Sequence, residues 1–197
     1  DESETPINNF TLSLMFDAKI YINSSSMVLC RYGGNQEEGS IKIKFEKDTY
    51  TGKAYIRAYE VLNGVEAIIA NSNSNKQVEI ETPFEGWKHI GFSVHQLAGN
   101  GNHRSYVLQV DDSFVSVSYD DNSYKIKGLA NASLSFGGYT RNNIHYGVST
   151  CFISSVIVNF LETLQDEERW EESELQLISN QLKQYREYDS VIDGNGY

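Results

Sequence analysis

Glu79, Glu81 and Glu85 crowd the segment Glu79-Ile80-Glu81-Thr82-Pro83-Phe84-Glu85, and paired carboxylates are what hydrolysis of a glycosidic bond by acid–base chemistry requires. At spacing two, Glu79 and Glu81 share one face of a strand, as a nucleophile and an acid ~5 Å apart would need. Pro83 interrupts the run and keeps Glu85 off that face, so solvent-facing strand charges are the better account. The four histidines, His89, His95, His103 and His145, include no pair at the helical spacing of a zinc site. His89, beside Trp87, is expected to pack and hydrogen-bond structurally. Neither a Gly-x-Ser-x-Gly elbow nor a Gly-rich loop before Lys-Ser/Thr is present, and Gly33-Gly34 and Gly137-Gly138 read as turn glycines. No catalytic residue is assigned, and enzymatic activity is not expected.

Binding chemistry is better represented. The segment Tyr139-Thr140-Arg141-Asn142-Asn143-Ile144-His145-Tyr146 follows Gly137-Gly138 and combines aromatic faces, a planar cation and amides. Those groups suit a sugar, whose ring stacks on aromatics while its hydroxyls take paired hydrogen bonds, or a protein hot spot. Tyr139, Arg141, Asn142, Asn143, His145 and Tyr146 are therefore the candidate ligand-binding residues, in what reads as a polar loop. Tyr32 and Tyr59 are candidates to extend the surface, their facing undecided. Cys30 and Cys151, the only cysteines, are too few for a disulfide scaffold and wrongly spaced for a metal motif. They read as small buried thiols, with a Cys30–Cys151 bridge as the alternative. Asn9, Asn23 and Asn131 open Asn-x-Ser/Thr sequons, glycosylation sites if the chain follows a eukaryotic secretory route.

The elements that must position these residues are strands. Phe10, Leu12, Leu14 and Phe16 alternate with polar or mildly apolar neighbours, which predicts a half-buried strand; Ile41, Ile43 and Phe45 alternate with Lys42, Lys44 and Glu46. Ala54, Ile56 and Ala58 share one face and Tyr55, Arg57, Tyr59 and Val61 the other, so the small residues are expected inward and the tyrosines outward. Further strands are predicted at Val65–Ala70, Gln77–Glu81, Phe114–Tyr119, Tyr124–Lys127 and Cys151–Phe160. Short strands with polar turns argue for a sandwich or barrel and against βαβ units. Beyond Phe160 the period becomes helical at Leu161, Leu164, Leu175, Ile178, Leu182 and Tyr185, with a capping-box sequence at Ser173-Glu174-Leu175-Gln176, and a helix is predicted over about Glu174–Tyr185.

Composition bounds the partners. The 197 residues carry 16 Lys and Arg against 27 Asp and Glu, a net charge of −11, which opposes approach to phosphate backbones, so nucleic acid is not an expected partner. The acidic run Gln165–Glu174 reads as a solvated helix face. No apolar run is long enough to cross a bilayer, and membrane insertion is not expected. The chain opens at Asp1 without Met, as a mature product or an excised piece of a longer chain would.

One stretch carries a resemblance. Trp87-Lys88-His89-Ile90-Gly91-Phe92-Ser93-Val94, then Tyr106-Val107-Leu108-Gln109-Val110-Asp111-Asp112-Ser113, then Leu134-Ser135-Phe136-Gly137-Gly138 resembles the laminin G-like and concanavalin A-like lectin domains. Ile153–Asn159 followed by Leu164-Gln165-Asp166-Glu167-Glu168 is similar to the ending of laminin G-like chains. Three departures stand out. Asp111-Asp112 replaces the usual Asp-Gly turn, the late laminin-type disulfide is missing, and the glucanase carboxylate pattern is broken at Glu79–Glu85. The resemblance implies an all-β, two-sheet antiparallel jelly-roll sandwich forming a single domain over 1–197, with the sandwich over about 8–160 and a C-terminal helical segment over about 164–187. It also implies calcium at a sheet rim, for which Asp111, Asp120 and Asp121 are the candidate ligands. The function it implies is a non-catalytic extracellular or cell-surface module binding glycan or a protein partner through rim loops. A self-associating assembly module is the alternative, and a glycoside hydrolase the third reading.

Overall fold

The structure is a computed structural model and describes residues 6–7, 10–20, 25–34, 37–71, 75–83, 86–97, 103–119, 128–129, 132–141, 144–146, 151–161 and 173–181. Its first half contains β1 (Pro6–Ile7), β2 (Phe10–Ile20), β3 (Ser26–Gly33), β4 (Ile41–Lys47), β5 (Ala54–Leu62), β6 (Val65–Ile68), β7 (Ala70–Asn71), β8 (Lys76–Gln77) and β9 (Glu79–Thr82). The second half adds β10 (Gly86–Leu97), β11 (His103–Val110), β12 (Ser113–Tyr119), β13 (Gly128–Leu129), β14 (Ser133–Phe136), β15 (Tyr139–Arg141), β16 (Ile144–Tyr146) and β17 (Cys151–Leu161). Among the described residues there is one helix, α1, over 173–181. The first sheet runs β12-β11-β10-β2-β17; the second runs β14-β3-β4-β5-β6, with β9 also paired to β5. Every pairing is antiparallel. The chain is thus the all-β two-sheet sandwich that its alternations predict.

The inward faces meet in one core. Phe16, Phe92 and Tyr106 of the first sheet and Ile43, Phe45 and Ile56 of the second are buried in it. Phe16 meets Phe136 edge-on, with ring centroids 5.1 Å apart, which ties β14 to the opposite sheet. At one end the contact between the sheets is polar. Arg104 of β11 donates from Nη1 to Glu60 Oε1 of β5 at 2.9 Å, both side chains being buried.

The strand predicted to be half-buried, β2, is buried on both faces, because its outer face is covered too. Leu175 of α1 packs there against Met15 and Val107. Around that contact the outer face is polar but internally bonded: Thr11 Oγ1 with His95 Nδ1 at 2.9 Å, Ser13 Oγ with Ser93 Oγ at 2.9 Å, and His89 Nδ1 donating to Asp17 Oδ1 at 2.8 Å. Buried polar groups are tolerated where they bond one another. The predicted helix is observed over 173–181; its expected continuation to Tyr185 and the expected strand Tyr124–Lys127 lie outside the described residues. Among the described residues no helix is long and apolar enough to cross a membrane.

No disulfide joins Cys30, which is buried, to Cys151, which is half-buried, so the bridge held open as an alternative is not formed. Cys30 sits in the core with its thiol pushed well above the ordinary range by burial. A thiol in that state is a small apolar filler.

Candidate functional site

The outer face of the second sheet gathers charge and aromatic rings. Alternation places Tyr55, Arg57 and Tyr59 of β5 outward, as expected, opposite Glu46, Lys44 and Lys42 of β4 in the register. On the other edge of β5, Glu79 and Glu81 of β9 stand beside Arg57 and Tyr55. Opposite charges on neighbouring strands then close into a lattice. Lys42 Nζ lies 2.7 Å from Glu37 Oε2 and 2.8 Å from Glu66 Oε1; Lys44 Nζ lies 2.9 Å from Glu66 Oε2 and 3.2 Å from Glu46 Oε1. Arg57 reaches Glu46 at 3.1 Å and Glu79 at 2.7 Å, and Lys53 reaches Glu81 at 2.7 Å. Tyr59 donates its phenolic hydrogen to Glu46.

These contacts set the protonation of the face. Burial alone would raise the carboxyls of Glu37, Glu46 and Glu66, but hydrogen bonds and charge from Lys42, Lys44, Arg57 and the phenols outweigh it and hold all three below the ordinary range. Burial works against the Lys42 ammonium in the same way, and its bonds to Glu37, Glu66 and Tyr139 raise it nonetheless. Burial and the Glu46 carboxylate push the Tyr59 phenol up, so it stays a donor.

The segment read as a polar loop is a hairpin. β15 and β16 pair with Tyr139 opposite Tyr146, Thr140 opposite His145 and Arg141 opposite Ile144. The two tyrosine rings stack with centroids 5.2 Å apart and planes 13° from parallel. Gly137 and Gly138, at φ of 71° and 131°, make the turn that delivers the hairpin, a conformation side chains resist. Tyr139 docks it on the sheet. Its hydroxyl donates to Glu37 Oε1 at 2.9 Å and accepts from Lys42 Nζ at 2.9 Å, while the Arg31 guanidinium lies 4.5 Å from its ring centroid. Two of the candidate binding residues, Tyr139 and Tyr146, therefore join the lattice, and His145 is exposed beside them. The side chain of Arg141, with Asn142 and Asn143, lies outside the described residues, as do the sequons Asn9, Asn23 and Asn131.

Other expectations resolve differently. Tyr59 extends this face, but Tyr32 points into the core. Glu79 and Glu81 do share a face, each committed to a cation, and β9 ends at Thr82 just before Pro83. Asp111 takes the left-handed conformation at φ 53° and accepts the His89 amide at 3.0 Å, fixing the turn after β11. Of the donors expected for calcium, Asp111 is placed in this turn, while Asp120 and Asp121 lie outside the described residues; among those described, no three His, Cys, Asp or Glu side chains cluster as a metal site. His89 proves structural, wholly buried against Asp17. Arg31, Lys42, Lys44, Glu37, Glu46 and Glu66 were not legible as a site. Their signal was the alternation of unlike charges on β4, which only register could pair with β5 and β6.

No family model matches the sequence, and no curated protein matches it. Among solved structures, the enzymatically active domain of tailspike protein 2 of bacteriophage CBA120 is similar at 13% identity and a TM-score of 0.48, over 80% of this chain and 23% of that one. A Ruminococcus gnavus IT-sialidase CBM40 bound to α2,3 sialyllactose is similar at 12% identity and a TM-score of 0.43, over 83% of this chain and 80% of that one. The PL-14 alginate lyase of Aplysia kurodai follows at 11% and 0.39, over 80% and 71%. The chain spans about a quarter of the length of the tailspike domain it matches. Such distances leave what this chain binds to be read from its own residues.

Proposed function

We propose that this domain is a non-catalytic recognition module of the extracellular or cell-surface kind, binding glycan on the outer face of its second sheet. The laminin G-like or concanavalin A-like character read from the Trp87–Gly138 motifs belongs to the same proposal. One observation carries it: the Tyr139–Tyr146 hairpin is docked by Lys42, Glu37 and Arg31 onto a sheet face of fixed donors and acceptors. A sugar needs an aromatic neighbour and directional polar groups, and a prearranged set spares the ordering cost that weakens carbohydrate binding. A glycan array followed by calorimetry, with and without calcium, tests it. Binding is expected to fall at least tenfold in Tyr139→Ala; silence toward every glycan in both conditions would sink the reading.

A second reading, assembly with further copies or neighbours, has its own observation. Strand β17, at an edge of the first sheet, carries a bulge between Ser154 and Ile157 and exposes Val156, Ile157 and Val158 in succession. Exposed apolar edge strands invite strand addition. Light scattering across a concentration series separates the two, since a growing mass abolished by Val156→Lys favours assembly. Hydrolysis is third, and turnover of a β-glucan panel that disappears in Glu79→Gln would revive it.

A further inference from the structure

Among the described residues of this face, four of the five cations already hold a carboxylate and the fifth, Arg31, is buried. Lys42 holds Glu37 and Glu66, Lys44 holds Glu46 and Glu66, Arg57 holds Glu46 and Glu79, and Lys53 holds Glu81. Arg31 donates to the Gly34 carbonyl at 2.8 Å and lies on the Tyr139 ring. Five cations thus face five carboxylates, in a chain whose net charge is −11. We infer that the saccharide recognised here is uncharged, and that acidic sugars are excluded by the lattice; the inference rests on the glycan reading above.

The chemistry is a matter of exchange. Arg31 is 2% exposed and out of reach, so a sialic or uronic carboxylate can gain a cation here only by displacing a glutamate from one of the other four, which leaves that glutamate beside a second anion and gains no net pairing. If it displaces nothing, it is desolvated among like charges. The surplus of acid elsewhere on the molecule adds repulsion at longer range. A neutral hydroxyl faces neither difficulty, because it donates and accepts at once and can insert alongside an ion pair without breaking it. Glu81, Glu66 and Glu79, the carboxylates of the lattice most open to solvent at 53%, 35% and 28%, keep lone pairs within reach of such hydroxyls. Tyr139 and Tyr146 supply the ring stack beside them. Exclusion of anions is therefore built from attraction, each glutamate acting as a tethered competitor.

Matched probes test this on the full 197-residue chain: lactose against sialyllactose, and galacto-oligosaccharides against oligogalacturonates, by calorimetry at low salt. The neutral member of at least one pair is expected to bind, its acidic partner at least tenfold more weakly, with both signals lost in Tyr139→Ala. Glu66→Gln lies on the short strand β6 and leaves Lys42 with Glu37 and Lys44 with Glu46, so it is the second arm. It should shift the acidic-to-neutral affinity ratio at least fivefold toward the acidic sugar. An acidic sugar binding as tightly as its neutral partner, or a ratio unmoved in Glu66→Gln, overturns the inference and leaves glycan recognition standing. Binding that survives Tyr139→Ala, or no binding of either kind, removes the glycan reading at this face and the inference with it.

Discussion

Lys42 is only 4% exposed, yet it carries its charge because two carboxylates and the Tyr139 phenol surround the ammonium. Replacing it with methionine keeps the stem and strands Glu37 and Glu66. Removal of one partner from a buried pair costs about 3–5 kcal/mol, but both glutamates reach solvent, so Lys42→Met should lose about 1–3 kcal/mol in urea denaturation. The same variant should loosen the hairpin, read as faster hydrogen exchange at Tyr139. Asp17 offers the contrast, since its partner His89 has no exposure at all. Asp17→Ala should cost about 3–5 kcal/mol in the same assay. Much of this was visible in sequence only as types. The outward facing of Lys42, Lys44, Arg57 and Tyr59 follows from alternation, but Lys42 meets Glu66 across 24 residues and Tyr139 across 97. Separations of that size are fixed by register and topology, which no local pattern encodes.

Elements explain where prediction succeeded and where it stopped. β10 carries the Trp87–Val94 stretch of the resemblance, turns Ile90, Phe92 and Val94, two apart, into the core, and occupies the middle of the first sheet, between β11 and β2. The β5–β6 hairpin had a plain signal in Asn63-Gly64, both with positive φ at 52° and 74°, the pair such tight turns favour. The cover over the outer face of β2 had none, because Ser13 and Asp17 look solvated until α1 is laid against the sheet. Gly91 is the position that admits it: a Cβ there would stand 3.0 Å from Gln109 Oε1 and 3.3 Å from Leu175 Cδ2. Gly91→Ala should therefore lift α1 from the sheet at about 1–3 kcal/mol. Leu175→Ala, which empties the same contact, should cost about 2–5 kcal/mol. Thermal unfolding gives both, and amide exchange confined to 173–181 would show whether α1 detaches before the sandwich opens.

At the scale of the molecule, the lattice links stability to pH. Glu37, Glu46 and Glu66 have lowered folded values, so the stability they contribute is complete above the ordinary carboxylate range near 4.3 and is lost as pH falls through and below it. Lys42, raised in the fold, contributes fully below the ordinary lysine value near 10.4 and loses its share as pH climbs past that. Glu60 runs the other way, its carboxyl raised by burial against the pull of Arg104, so it subtracts stability as pH rises above the ordinary range. Melting temperature should therefore fall on the acid side of about 4.3, more gently in Glu66→Gln than in the parent chain. The Arg104–Glu60 bond has a mechanical side as well. Apolar layers can slide, because leucine on isoleucine is worth nearly the same one notch along, whereas a guanidinium has one seat. A shear of either sheet would leave two opposite charges stranded in a dry interior, so this bond works as a dowel that indexes one layer to the other. The alignment it keeps is that of the sheet carrying the lattice on the sheet that supports it.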